Sequence, residues 1–134
     1  MLKGVHHIAY VVADMDKMVE MLDRVFGMKP DRRLDVPQSG QEVALFELLD
    51  GGTLEVIRPL HENTIWAEFL REHGGDGIHH IGYAVDGIDD KLKDLAESGV
   101  GLIDQESKVS GVGWTVGSVD PRSTNGLWFQ LVQP

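Results

Sequence analysis

The chain carries one motif twice. His6-His7-Ile8-Ala9-Tyr10-Val11-Val12 and His79-His80-Ile81-Gly82-Tyr83-Ala84-Val85 are near copies, 73 residues apart in a chain of 134. A period of half the chain implies two copies of one supersecondary unit, and neither half alone is long enough to bury a substantial core. Pairing of the halves is the expected solution. Each copy is followed by an acidic turn, Ala13-Asp14-Met15-Asp16 or Asp86-Gly87-Ile88-Asp89. Apolar residues at spacings of three and four come next. Met18, Val19, Leu22, Val25 and Phe26 precede Gly27, and Ile88, Leu92, Leu95 and Ala96 precede Gly99. That is helical spacing with a glycine stop.

Short β-rich runs follow each helix. In the first half they cover about 33–36, 42–48 and 53–58, with a turn at Asp50-Gly51-Gly52. In the second they cover 101–106, 114–119 and 127–132, with a turn across 121–126. Each half therefore reads βαβββ. Residues 63–73, with Ile65, Trp66, Phe69 and Leu70 on one side, read as a linking helix before Gly74-Gly75-Asp76-Gly77. The expected fold class is α+β in a single domain over residues 1–134. Module 1 covers about 1–62, the linking segment 63–75 and module 2 76–134, the modules pairing into a curled mixed sheet around a metal-binding cleft.

Period-two alternation puts His7, Ala9 and Val11 on one face of the first strand, and His80, Gly82 and Ala84 on one face of its copy. The opposite faces carry the bulky Ile8, Tyr10 and Val12, or Ile81, Tyr83 and Val85, and are expected to pack under the helices. The His7 and His80 faces, with small neighbours, are then left to line a ligand site. His6 and His79 are read as structural, and His61 and His73 as surface residues in polar loops. The closing strand of each half is also interrupted by a polar residue, Glu55 in Thr53-Leu54-Glu55-Val56-Ile57 and Gln130 in Leu127-Trp128-Phe129-Gln130-Leu131-Val132. A carboxylate buried in an apolar strand costs several kcal/mol without compensation, roughly 3 or more. Two imidazoles, one carboxylate and one amide oxygen at repeat-related positions make a ligand set for a divalent metal ion, and such donors suit Co, Mn, Ni, Zn or Fe without choosing among them.

Composition removes other classes. With 22 Asp+Glu against 12 Lys+Arg, the net charge of −10 repels polyanions and acidic membranes, so neither nucleic acid nor a membrane is an expected partner. There is no cysteine, hence no disulfide framework, thiolate metal site or thiol nucleophile. The opening residues lack the uninterrupted apolar core of a signal peptide, and no run approaches membrane-spanning length. A cytoplasmic protein acting on a small molecule is the expectation.

The stretches 77–86, 7–12, 54–60, 99–104 and 120–126 together resemble the vicinal oxygen chelate superfamily, which includes glyoxalase I, extradiol dioxygenases and antibiotic-sequestering proteins. Within it, the chain most resembles the methylmalonyl-CoA epimerases. The resemblance spans essentially the whole chain. It implies that His7, Glu55, His80 and Gln130 ligate the ion, that the substrate is a coenzyme A thioester losing the proton next to its carbonyl, and that the protein is a homodimer. It also implies an exchange across the repeat, because such epimerases usually place an amide where Glu55 stands and a carboxylate where Gln130 stands. Gln38 and Asp120 replace a usual glutamate and histidine.

Glu55 is the candidate catalytic base, as a ligand able to detach or swing. A second proton partner is left open among Glu42, Glu47, Tyr10 and water. Arg58, Lys108 and Arg122 are candidate counter-charges for the coenzyme phosphates, with Arg122 reading first as a solvated turn residue. Three other functions use the same residues: a glyoxalase I-type lyase, an Fe(II) dioxygenase using His7, His80 and Glu55 as a facial triad, and a non-catalytic small-molecule binder of the resistance type.

Overall fold

The computed structural model describes residues 2–134. The element order is β1 (Gly4–Val11), α1 (Met15–Phe26), β2 (Arg32–Val36), β3 (Gln41–Glu47), β4 (Thr53–Pro59), α2 (Ile65–His73), β5 (Gly77–Ala84), α3 (Ile88–Glu97), β6 (Lys108–Val109), β7 (Thr115–Ser118) and β8 (Phe129–Gln133). The βαβββ sequence occurs twice, with α2 between the copies. The architecture is α+β, three helices on a mixed sheet of strand order β2-β3-β4-β1-β5-β8-β7-β6. Chain contacts divide into two compact units whose limits fall inside β1 and β5, one of residues 8–79 and one of residues 2–7 with 80–134.

In the unit of residues 8–79, β2, β3 and β4 are antiparallel, with Leu45 opposite Glu55. Asp14 caps α1 by accepting from the Lys17 N–H, and Gly27 ends the helix at φ 66, a left-handed conformation that glycine adopts without steric cost. The apolar side of α1 packs Met15 and Leu22 against Val12, Ala44, Phe46 and Val56, with Tyr10, Met18, Val19, Met21 and Leu54 at the margin. Tyr10 and Val12 thus face the helix, as alternation predicts. Thr64 caps α2. His73 is the last residue of α2, stacked on Phe69, and not a loop residue as read from the sequence, though it is exposed.

In the other unit, β5 runs parallel to β8 and β7 antiparallel to it, with Gly82 and Ser118 both opposite Gln130. Ile88 and Leu92 of α3 pack on Val85 and Leu131. Gly87 precedes α3 with no side-chain cap, and the Gln133 side chain accepts from the Ile88 N–H instead.

The strand expected at 101–106 does not form. The segment makes a single bridge, Leu102 to Val119, and the strand at this edge is the two-residue β6. Asp104 explains the difference. Its side chain accepts from the Ser118 N–H and pairs with Lys108 Nζ at 3.0 Å, while the Ile103 and Asp104 N–H groups share the Ser118 carbonyl, a pattern that side-chain bonds interrupt before a regular ladder can extend.

Candidate metal centre

The unit that contains residues 2–7 and 80–134 brings three of the four candidate ligands together. His7 from β1 and His80 from β5 are both buried, with His7 Nε2 3.2 Å from His80 Nε2. Gln130 on β8 lies beside Gly82 in the strand register and makes a side-chain hydrogen bond with His7. Burial, and then the charge of His6, push the His7 imidazole down to about 3, while the Gln130 hydrogen bond opposes them. The ring is neutral at physiological pH, the form that binds metals.

Gly82 makes room for that ring. A Cβ there would meet His7 Cε1 and Nδ1 within overlap distance and lie 2.9 Å from Nε2. Trp114 covers the ring by stacking, centroids 4.5 Å apart at 29°. His6, read from the sequence as structural, places its Nδ1 3.0 Å from His7 Nδ1. His79 does fit the structural reading, half-buried between Trp66 and Phe69 at 5.0 and 5.1 Å.

Glu55 lies in the unit of residues 8–79, at the middle of β4 and 5% exposed. Its strand neighbours Leu54 and Val56 point to the α1 core, so Glu55 projects from the other face. Burial pushes its carboxyl up to about 8. His7, Glu55 and His80 are each buried.

The histidine pair fits a metal. Two imidazole nitrogens at about 2.1 Å from one ion lie about 3.0–3.4 Å apart, depending on octahedral or tetrahedral arrangement. The observed 3.2 Å falls in that interval. The two buried imidazoles and the Gln130 amide beside His7 together offer nitrogen and oxygen donors to a divalent ion.

The remaining sequence candidates are engaged elsewhere. Glu42 accepts from both Arg33 and Arg58; burial raises its carboxyl, but these two guanidiniums outweigh it and hold Glu42 below the usual range, which disfavours it as a base. Glu47 is exposed at the end of β3, and Gln38 is exposed in the 3₁₀ turn Pro37–Ser39. Each proposed counter-charge already has a carboxylate partner: Arg58 has Glu42, Lys108 has Asp104 and Arg122 has Asp120. Arg122 lies exposed in a turn, its solvated reading.

Residues 6–117 match the glyoxalase/bleomycin resistance protein/dioxygenase superfamily. The chain belongs to that superfamily. Its sequence is 27% identical to the mitochondrial methylmalonyl-CoA epimerase of Bos taurus over 98% of this chain and 75% of the relative. It is 29% identical to the ethylmalonyl-CoA/methylmalonyl-CoA epimerase of Cereibacter sphaeroides over 99% of both chains. In fold it is similar to a variant of Streptomyces coelicolor methylmalonyl-CoA epimerase solved in complex with 2-nitronate-propionyl-CoA, with a TM-score of 0.88 at 23% identity over 99% of this chain and 98% of the other. Among the described residues of this superfamily member, no helix is long and apolar enough to cross a membrane.

Sequence reasoning missed His6 and Trp114. Alternation gives the direction of a Cβ and not the reach of a ring, and Trp114 comes from a distant turn closed by Gly113 N–H to the Ser110 carbonyl.

Proposed function

We propose that the protein is a metal-dependent epimerase that removes the proton next to the thioester carbonyl of an acyl-CoA such as methylmalonyl-CoA, with His7, His80, Gln130 and Glu55 as the ligand set. The observation that carries this reading is the buried His7 and His80 pair, Nε2 atoms 3.2 Å apart, at repeat-related positions in a chain similar throughout to epimerases. A divalent ion bound by these residues supplies positive charge beside the carbonyl oxygen on which negative charge builds as the proton leaves.

The chain's own groups do the rest. His7 stays neutral, so its lone pair is available without a proton having to leave. Glu55 accepts the substrate proton on one face, and inversion requires water to return a proton on the opposite face. Burial of Glu55 raises its basicity, and the positive charge of a bound divalent ion would oppose that rise and keep it in the carboxylate form that accepts a proton. Gln130, an amide, cannot accept a proton as a carboxylate does and serves as an oxygen donor only. The exposed Val25 and Phe26 of α1 and Leu49 of the turn between β3 and β4 support a homodimer as part of this reading.

Proton exchange is the test. Protein purified without a histidine tag and loaded with Co²⁺, incubated in deuterium oxide with methylmalonyl-CoA, should place deuterium next to the thioester, and Glu55→Gln should stop it. Absence of exchange in wild-type protein with any of Co, Mn, Ni or Zn defeats the proposal. Dioxygen uptake with Fe(II) and a catechol would instead make the protein a dioxygenase.

A further inference from the structure

The His6 and His7 rings meet through like atoms, Nδ1 to Nδ1 at 3.0 Å. A neutral imidazole carries one proton, on one nitrogen only, so a hydrogen bond between two Nδ1 atoms needs one ring to donate and the other to accept. If His6 donated, the proton of His7 would sit on Nε2 and point at His80, filling the space between the two histidines with hydrogen. If His7 donates, its Nε2 presents a lone pair there, and His6 carries its own proton on Nε2, away from His7.

We propose that His6 is a positioning residue for the metal ligand His7, its Nδ1 accepting the His7 Nδ1–H and thereby fixing the tautomer whose Nε2 lone pair faces His80. This rests on the reading of His7 as a ligand. The geometry does more than tolerate the bond. Trp114 packs edge-on to His6, centroids 4.8 Å apart at 83°, while it stacks on His7. One indole therefore holds both donor and acceptor rings, and the absence of a Cβ at Gly82 leaves room for His7 beside it. Ligating histidines ordinarily donate their second N–H to a carboxylate, a carbonyl or water. Here a neutral imidazole has that place, so the tautomer is fixed without adding negative charge to the centre.

Two variants separate this role from packing. His6→Asn keeps an amide oxygen near the position of Nδ1, whereas His6→Gln carries its amide one bond too far. In metal-free protein, ring-nitrogen NMR should show His7 protonated at Nδ1 in wild type and His6→Asn, and a mixed population of tautomers in His6→Gln. Calorimetric titration with Zn²⁺ should give an affinity about 10–100-fold weaker in His6→Gln and nearly restored in His6→Asn. Wild-type tautomer and wild-type affinity in His6→Gln overturn the role of His6 alone. Wild-type protein that binds no divalent ion overturns the reading of the centre itself, an outcome visible before any variant is made.

Discussion

A methyl group added at Gly82 tests whether the His7 imidazole is held in place. The Cβ of Gly82→Ala would overlap Cε1 and Nδ1 of His7 and approach Nε2 to 2.9 Å, against an ordinary contact of about 3.5–4.0 Å. The ring must therefore move by about 1 Å. It cannot do so freely, because Trp114 covers it and His6 bonds it. Overpacking of this kind costs about 1–3 kcal/mol of stability, and a 1 Å misplacement of a reacting constellation costs on the order of 100-fold in rate. Three measurements on one preparation check this: thermal unfolding, Zn²⁺ titration calorimetry and deuterium exchange into methylmalonyl-CoA. Gly4→Ala is the control, since nothing lies within 4 Å of a Cβ there. The expected result is a folded Gly82→Ala protein with metal affinity and exchange both reduced at least tenfold, and a Gly4→Ala protein like wild type. Unchanged affinity and exchange in Gly82→Ala would refute the placement of His7 at the centre.

Other outcomes follow from the buried groups. Glu55 has a folded pKa of about 8, above its unfolded value, so metal-free protein should lose stability as pH rises from about 4.5 to 8; Glu55→Gln should flatten that slope and gain on the order of 4 kcal/mol at pH 8, read by denaturant unfolding in chelator. His79 runs the other way. Burial lowers it to about 4, so its contribution is present above pH 6.5 and lost as pH falls toward 4, and His79→Phe should remove about 3 kcal/mol of that acid sensitivity in the same assay. Glu42→Gln leaves Arg33 and Arg58 without their shared carboxylate and should destabilise the protein by about 1–2 kcal/mol at neutral pH, with less effect at high salt.

The repeat made most of the architecture legible. Asp14 and Gly27 bracket α1 as sequence spacing predicts, and β3 and β4 lie within a residue of their expected limits, because apolar periodicity and turn glycines act locally there. The same alternation identified His7 and His80, whose burial follows from sharing a face with small residues. It failed at 101–106, where Val100, Leu102 and Ile103 resemble a strand but Asp104 takes the Ser118 N–H for its side chain. It failed again for His6, because two adjacent residues on opposite faces can still touch when both side chains are long and planar. Trp114 had no local signal at all: its importance lies in which rings it covers, and a sequence lists no such neighbours.

The lone bridge between Leu102 and Val119 bears on how this chain tolerates changes in length. In β8 one additional residue would rotate everything after it by half a pleat, turning Gln130 from His7 toward the opposite face. Gly101, Ile103 and Asp104 are bonded through their backbone to Ser118 or Asp120, whereas the exposed Gln105 and Glu106 have no ladder to slip. Insertions and deletions are therefore expected to collect in that stretch, which makes it the natural place to graft a tag or a reporter loop without disturbing the histidines.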